Sequence, residues 1–217
     1  MIDWHNIDTI LLDMDGTLLD LAYDSHFWLN YLPKVIAQNR NITLAEALDH
    51  LQPIFIEHEG TLNWYCVDFW SDTLGFDIMP YKRELSEMIR YRPNANNFLE
   101  YCQSHSDDVR LVTNAHRKVL DMKHEFTNIC TYFADHVCSH ELSLPKEDPE
   151  FWHKLQERQP FDPARTLFID DNEKVLQSAK SYGIKHLYSI ATPDSQRQRT
   201  AHSEFPMIDC FSEVLSR

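Results

Sequence analysis

The stretch Thr9-Ile10-Leu11-Leu12-Asp13-Met14-Asp15-Gly16-Thr17 constrains the fold of this chain more than any other, because an apolar run ends abruptly in two carboxylates and a glycine. Thr9 to Leu12 is short, β-branched at two positions and met at once by turn chemistry. That pattern predicts a buried parallel strand rather than a helix. Asp13 and Asp15 lie two residues apart, so an extended backbone would project both to one side, where they could share a cation. Gly16 would allow a sharp turn and a close approach of backbone to ligand. The plainer alternative is that both aspartates solvate a strand end and open a turn.

After Thr17 the rhythm changes, and residues 18–92 read as helices with no convincing strand among them. Phe27, Trp28, Tyr31, Leu32, Val35 and Ile36 recur at helical spacing, with Pro33 as a kink. Thr43 and Glu46 have capping-box spacing and predict a helix through Leu51 that bends at Pro53. One unbroken helix is expected over residues 62–74, closed by Gly75, and another over 81–90 with Pro80 at its start. From residue 93 onward, helices alternate with short apolar strands at 110–113, 135–139, 166–169 and 185–190. This alternation predicts an α/β fold with a Rossmann-like parallel sheet flanked by helices. The expected organisation is an α/β core of residues 1–17 and 93–217, interrupted by a helical insertion of residues 18–92. Residues 192–203 read as a surface loop before a short C-terminal helix.

Composition removes several function classes. A chain of 217 residues can bury a sizeable core, and a formal charge of −14 opposes binding to nucleic acid or to an anionic membrane. A small phosphorylated substrate remains compatible, since a divalent cation and one or two basic groups can reverse the local field. The five cysteines are odd in number, scattered and without a Cys-x-x-Cys pair, as expected of reduced thiols in a cytoplasmic protein. No signal-peptide pattern or membrane-length apolar run is present. Nothing in the sequence requires an assembly beyond a monomer or weak homo-oligomer. His136, Cys138 and His140 alternate as strand-face zinc ligands could, but no further ligand pair at short spacing supports them.

In an open parallel sheet, ligands gather at the carboxyl ends of the strands. Four such ends or following loops carry chemistry: Asp13 and Asp15, then Thr113 and Asn114, then Lys146, then Asp170 and Asp171. Carboxylates crowded together repel unless a cation joins them, and hard oxygen ligands point to Mg2+. Taken singly, Thr113 could be a turn hydroxyl, Lys146 a solvated loop lysine and Asp171 a helix cap in competition with Asn172. Trp64, Tyr65, Phe69 and Trp70 could stack on a purine or build a small core. Asn63 and Asp68 could read a base edge or lie on the surface.

The ordered set Asp13-Met14-Asp15-Gly16-Thr17, Leu111-Val112-Thr113-Asn114, Lys146 and Phe168-Ile169-Asp170-Asp171 resembles the four motifs of the haloacid dehalogenase-like phosphohydrolases. The resemblance spans the chain, and the insertion looks like that family's helical cap. It implies a magnesium-dependent hydrolase in which Asp13 is the nucleophile and Asp15 the acid and base. Metal would be held by Asp13, Asp15 through its carbonyl, Asp170 and Asp171, and the phosphoryl group by Thr113, Asn114 and Lys146. Residues 61–66 and the segment Thr113-Asn114-Ala115-His116 are similar to bacterial nucleotidases acting on GMP and IMP, which implies a purine nucleotide substrate. Phosphatases of sugar phosphates or phosphoglycolate, phosphoglucomutase-type transferases and a non-catalytic binding module are the alternatives. Carbon-halogen hydrolysis is disfavoured by Asp15, because a departing halide needs no proton and a departing alkoxide does.

Overall fold

All four residues of β1 (Thr9–Leu12) are buried, as befits the strand around which the others assemble. The computed structural model describes residues 2–200 and 202–215. In it β2 (Asp108–Thr113), β3 (Asp135–Cys138), β4 (Thr166–Ile169), β5 (His186–Ile190) and β6 (Met207–Ile208) join β1 in one parallel sheet of order β3-β2-β1-β4-β5-β6. The chain builds outward from β1 in one direction and then from β4 in the other. Strand order therefore reverses between β1 and β4, and a crevice opens there at their carboxyl ends. Leu12 is in register with Leu111 on one side and Ile169 on the other, which brings the residues after each strand together.

Between β1 and β2 lie α1 (Ala22–His26), α2 (Leu32–Arg40), α3 (Leu44–His58), α4 (Leu62–Tyr65), α5 (Val67–Leu74) and α6 (Met79–Glu84). Tyr23, Phe27, Ile36, Leu51 and Trp70 pack into a cluster of their own, closed on the sheet side by Val119 and Met122. The chain leaves and rejoins the sheet side by side: Leu19 bridges Tyr91 in antiparallel fashion, and the Arg92 amide donates to the Leu18 carbonyl. Buried Arg92 fastens this crossing by donating to the carbonyls of Thr17 and Thr192.

The remaining helices are α7 (Ala95–His105), α8 (Arg117–Thr127), α9 (Ser139–Leu142), α10 (Pro149–Arg158) and α11 (Glu173–Tyr182). Alternate strand residues face opposite layers, as the pleat requires. Ile10, Leu12 and Ile169 meet Phe98 and Leu99 of α7, whereas Leu11 and Phe168 meet Trp152 of α10 and Leu176 of α11.

Local predictions fail where one residue overrides a periodic pattern. The expected helix over 62–74 breaks at Cys66, whose extended backbone ends α4 and whose sulfur accepts the Phe69 amide at the start of α5. Gly75 closes α5 in the left-handed conformation, as the sequence predicts. Pro33 stands in the first turn of α2, and a π-helical turn at Phe27–Tyr31 precedes it and widens the ladder where the proline ring would meet a carbonyl. α3 continues through Pro53 to His58, since the carbonyl deprived of its donor belongs to exposed Asp49. The helix expected over 81–90 stops at Glu84, with a 3-10 turn at Ser86–Met88. The short C-terminal helix is instead β6 followed by a 3-10 turn at Phe211–Glu213, where Phe211 stacks on Phe98 at 4.4 Å. Two residues are too few for strand periodicity to register.

Trp152 carries much of the packing on the α10 face. It is fully buried, its ring lies 4.9 Å from that of Phe168, and its indole N–H donates to Ser178. Trp152→Ala is expected to destabilise the fold by about 3 to 5 kcal/mol, read as a lower urea midpoint at unchanged slope.

Candidate active site

β1 ends beneath Asp13, whose amide donates to the Ile169 carbonyl of β4 at 3.1 Å. The side chains after both strands therefore converge. Buried Lys146 reaches between them, with Nζ 2.6 Å from Asp13 Oδ1, 2.7 Å from Asp170 Oδ2 and 3.0 Å from the Val112 carbonyl. Burial opposes charge on Lys146, but Asp13 and Asp170 outweigh it and hold its pKa above the ordinary lysine value. A solvated loop lysine is thereby ruled out.

Asp13, Asp170 and Asp171 bring one carboxylate oxygen each to within 4.8 Å of the others. Burial, reinforced by Asp13, pushes Asp170 up to about 7, and burial with Asp170 and Asp13 pushes Asp171 well above the carboxylate range. Asp171 does not cap α11; Asn172 does, accepting the Lys174 amide at 3.0 Å. Gly16, with φ at +82°, passes so close that a Cβ there would stand 2.4 Å from Asp171 Oδ2. Three carboxylates face one lysine, a deficit of two positive charges met by a hard divalent cation, so the donor set fits Mg2+.

Asp15 lies on the other flank. Its Oδ1 accepts from Lys123 Nζ at 2.6 Å, and Lys123 also pairs with Asp24. Burial chiefly, helped by Asp24 and Asp13 against Lys123, pushes Asp15 up to about 6. Sequence reasoning missed Lys123 and Asp24. The available signal was a lysine on the apolar face of α8, beside Val119, Leu120 and Met122.

The Thr113 hydroxyl accepts the Ala115 amide at 3.0 Å while the residue lines the cavity, so turn and site readings coexist. Asn114 has its side chain committed at both ends: Oδ1 accepts the Lys146 amide and Nδ2 donates to Glu147. Glu147, also missed, accepts from Tyr65 at 2.6 Å and from Asn172, joining the inserted helices to three strand-end loops.

Above the acids opens a cavity of about 340 Å³. Asp13, Asp15 and Asp170 line it, as do the aromatic residues Trp28, Phe55 and Trp64. Trp64 and Tyr65 thus face the cavity, whereas Trp70 is buried in the helical cluster. Asn63 is exposed outside the cavity lining, and Asp68 pairs with Lys118 at 2.6 Å.

Comparison with known proteins agrees with this geometry. The sequence profile of haloacid dehalogenase-like hydrolases matches residues 10–188. The chain is 35% identical over 214 residues to the GMP/IMP nucleotidase YrfG of Escherichia coli strain K12, covering 99% of this chain and 96% of that protein. A HAD phosphatase from Thermococcus onnurineus superposes with a TM-score of 0.75 at 18% identity, covering 96% of both chains. YfnB from Bacillus subtilis, solved bound to magnesium, superposes with a TM-score of 0.64 at 17% identity over 96% of both chains.

The raised carboxyl pKa values carry a linkage consequence. Groups protonated more readily in the folded state stabilise it below the unfolded pKa, near 3.8, and lose that contribution as pH rises through the folded value, about 7 for Asp170. Magnesium held by these acids would favour the ionised form and offset the loss. The thermal stabilisation by magnesium over chelator is therefore expected to grow between about pH 5 and pH 7.5, measured by calorimetry in both conditions. A stabilisation independent of pH would contradict the assignment of these carboxylates to the cation.

Proposed function

The chain belongs to the haloacid dehalogenase-like hydrolases, and on that premise we propose that it is a magnesium-dependent 5′-nucleotidase acting on purine monophosphates, with GMP and IMP favoured. The observation that carries the reading is a single cavity with a charged floor for phosphate and an aromatic wall for a base. The 35% identity to a protein named a GMP/IMP nucleotidase over nearly the full chain supports the same substrate class. Residues 18–92 act as the cap over an α/β core of 1–17 and 93–217, a division supported by the separate helical cluster and the paired crossing at Leu19 and Tyr91.

Asp13, Asp170 and Asp171, with the Asp15 carbonyl, would hold magnesium, which when bound neutralises charge between nucleophile and phosphate. Asp13 attacks phosphorus in line and forms an aspartyl-phosphate as the bond to the 5′-oxygen breaks. Asp15 gives its proton to that oxygen, so the nucleoside leaves as an alcohol rather than an alkoxide. A carboxyl held at about 6 is neutral in an appreciable fraction of molecules near neutrality, and Lys123 fixes its orientation. Asp15, now ionised, takes a proton from water, which hydrolyses the acyl phosphate and regenerates Asp13. Lys146 and Thr113 stabilise charge on the phosphoryl oxygens. Asn114 serves by positioning Lys146 and Glu147.

Trp28, Phe55 and Trp64 give the base an apolar wall, whereas Phe69 and Trp70 support it from behind. A sugar phosphate would leave that wall unused.

Asp13→Asn is expected to keep the fold and lose at least about a thousandfold in turnover of GMP; near wild-type turnover would exclude the acyl-phosphate route. In a panel at fixed magnesium, GMP and IMP should exceed glucose 6-phosphate and p-nitrophenyl phosphate in kcat/KM. Trp64→Ala should raise KM for GMP by about threefold to tenfold while leaving p-nitrophenyl phosphate nearly unaffected. Equal effects on both substrates would remove Trp64 from base recognition.

A further inference from the structure

Away from the carboxylate centre, Cys66, His116 and His140 each bring a ligand atom to within 4.8 Å of the others. They come from three places in the fold. Cys66 joins α4 to α5, His116 precedes α8, and His140 lies in α9 just after β3. A thiol and two imidazoles form a soft donor set, suited to zinc and its neighbours and unlike the hard oxygens of the acidic centre. The strand-face arrangement of His136, Cys138 and His140 does not form, because β3 ends at Cys138 and His140 turns away on a helix.

His140 needs an explanation that packing does not supply. Both of its ring nitrogens are shielded from solvent and neither meets hydrogen-bond geometry with a partner, although the Leu62 backbone lies close enough to act on the ring. A desolvated imidazole held only by so distorted a contact recovers little of the hydration it gives up. Burial, with His116 beside it, pushes its pKa down to about 4, so at neutral pH it offers a lone pair rather than a positive charge. The His116 ring stands edge-on at 4.8 Å, with Nε2 3.8 Å from Asp68 Oδ2. Cys66 sulfur sits at the amino end of α5, where it accepts the Phe69 amide at 3.4 Å.

We propose that Cys66, His116 and His140 bind a soft divalent cation of the zinc class, with water or Asp68 in the fourth position. Closing to coordination distance requires small side-chain rotations, and the Lys118 amide on His116 Nδ1, at 3.3 Å, is too weak a contact to oppose them. The cation would fasten the inserted helices to the loops after β2 and β3. It would fix Trp64 and Tyr65, which immediately precede Cys66 and line the cavity. This site does not depend on the phosphatase reading, because its ligands are not those of the reaction.

The test is a cobalt(II) titration of the full chain with the carboxylate centre saturated by magnesium. One equivalent should bind with tetrahedral visible absorption and a thiolate-to-cobalt charge-transfer band, and zinc should displace it. Cys66→Ser should abolish the charge-transfer band, His140→Asn should weaken binding by about a hundredfold or more, and Cys138→Ser should leave both unchanged. In the wild-type chain, zinc should protect Cys66 from alkylation, read by peptide mass mapping, so that the proposal does not depend on variants that fold. A charge-transfer band that persists in Cys66→Ser, no band in the wild-type protein, or alkylation of Cys66 unaffected by zinc would each overturn the site.

Discussion

Lys146 between Asp13 and Asp170 is the contact on which the rest of the centre depends. It spans the two strand ends at which the sheet order reverses, and it does so from inside the protein, where its ammonium donates to two carboxylates and a carbonyl. Removing a lysine from water is costly, and the cost is offset only while two carboxylates remain ionised beside it. Those carboxylates are in turn too crowded to remain ionised together without positive charge. The lysine and the acids thus stabilise each other, and the charge deficit that remains suits a divalent cation with an anion beside it.

Around that contact the loops are braced rather than free. Asn114 receives the Lys146 amide and hands its own N–H to Glu147, which also receives Tyr65 and Asn172. Four segments distant in sequence meet at one carboxylate. A second brace operates on the opposite flank, where Lys123 joins Asp15 to Asp24 and Lys82 joins Asp24 from within a ring of Tyr23, Phe27 and Trp28. Burial and Lys123 act in opposite directions on Asp15, and burial prevails far enough to leave it able both to give and to accept a proton near neutrality.

The parallel sheet and its acidic strand ends were legible because both are short-range features: an apolar run four residues long and a carboxylate just beyond it. Thr113, Lys146 and Asp170 could be named from their order along the chain. Lys123, Asp24 and Glu147 could not, because a charged side chain on a helix or in a turn is ordinarily solvated and only tertiary packing reveals that these three are turned inward. Cys66 shows the opposite limit. Its neighbours are helical on both sides, so periodicity carried one helix through it, yet the sulfur serves the following helix better as a cap than as a member. Residues 207–215 escaped for a third reason, since a two-residue strand is held by its neighbour β5 and by the Phe98 ring rather than by any pattern of its own.

The same fold accommodates other chemistry: an L-2-haloacid dehalogenase from Xanthobacter autotrophicus superposes with a TM-score of 0.60 at 13% identity. Fold alone therefore cannot select the leaving group, and the selection must come from residues at the strand ends. A halide departs as a stable anion, whereas a nucleoside 5′-oxygen departs at a useful rate only when protonated. On the proposed mechanism Asp15 would supply that proton, and it is held by Lys123, which is buried in α8, pairs also with Asp24 and lies over the Tyr23 ring. Retaining a buried lysine against its desolvation cost makes sense if Asp15 must be both oriented and intermittently neutral. By that reasoning the inward turn of α8 would be as much a part of the proposed reaction as the strand that ends at Asp13.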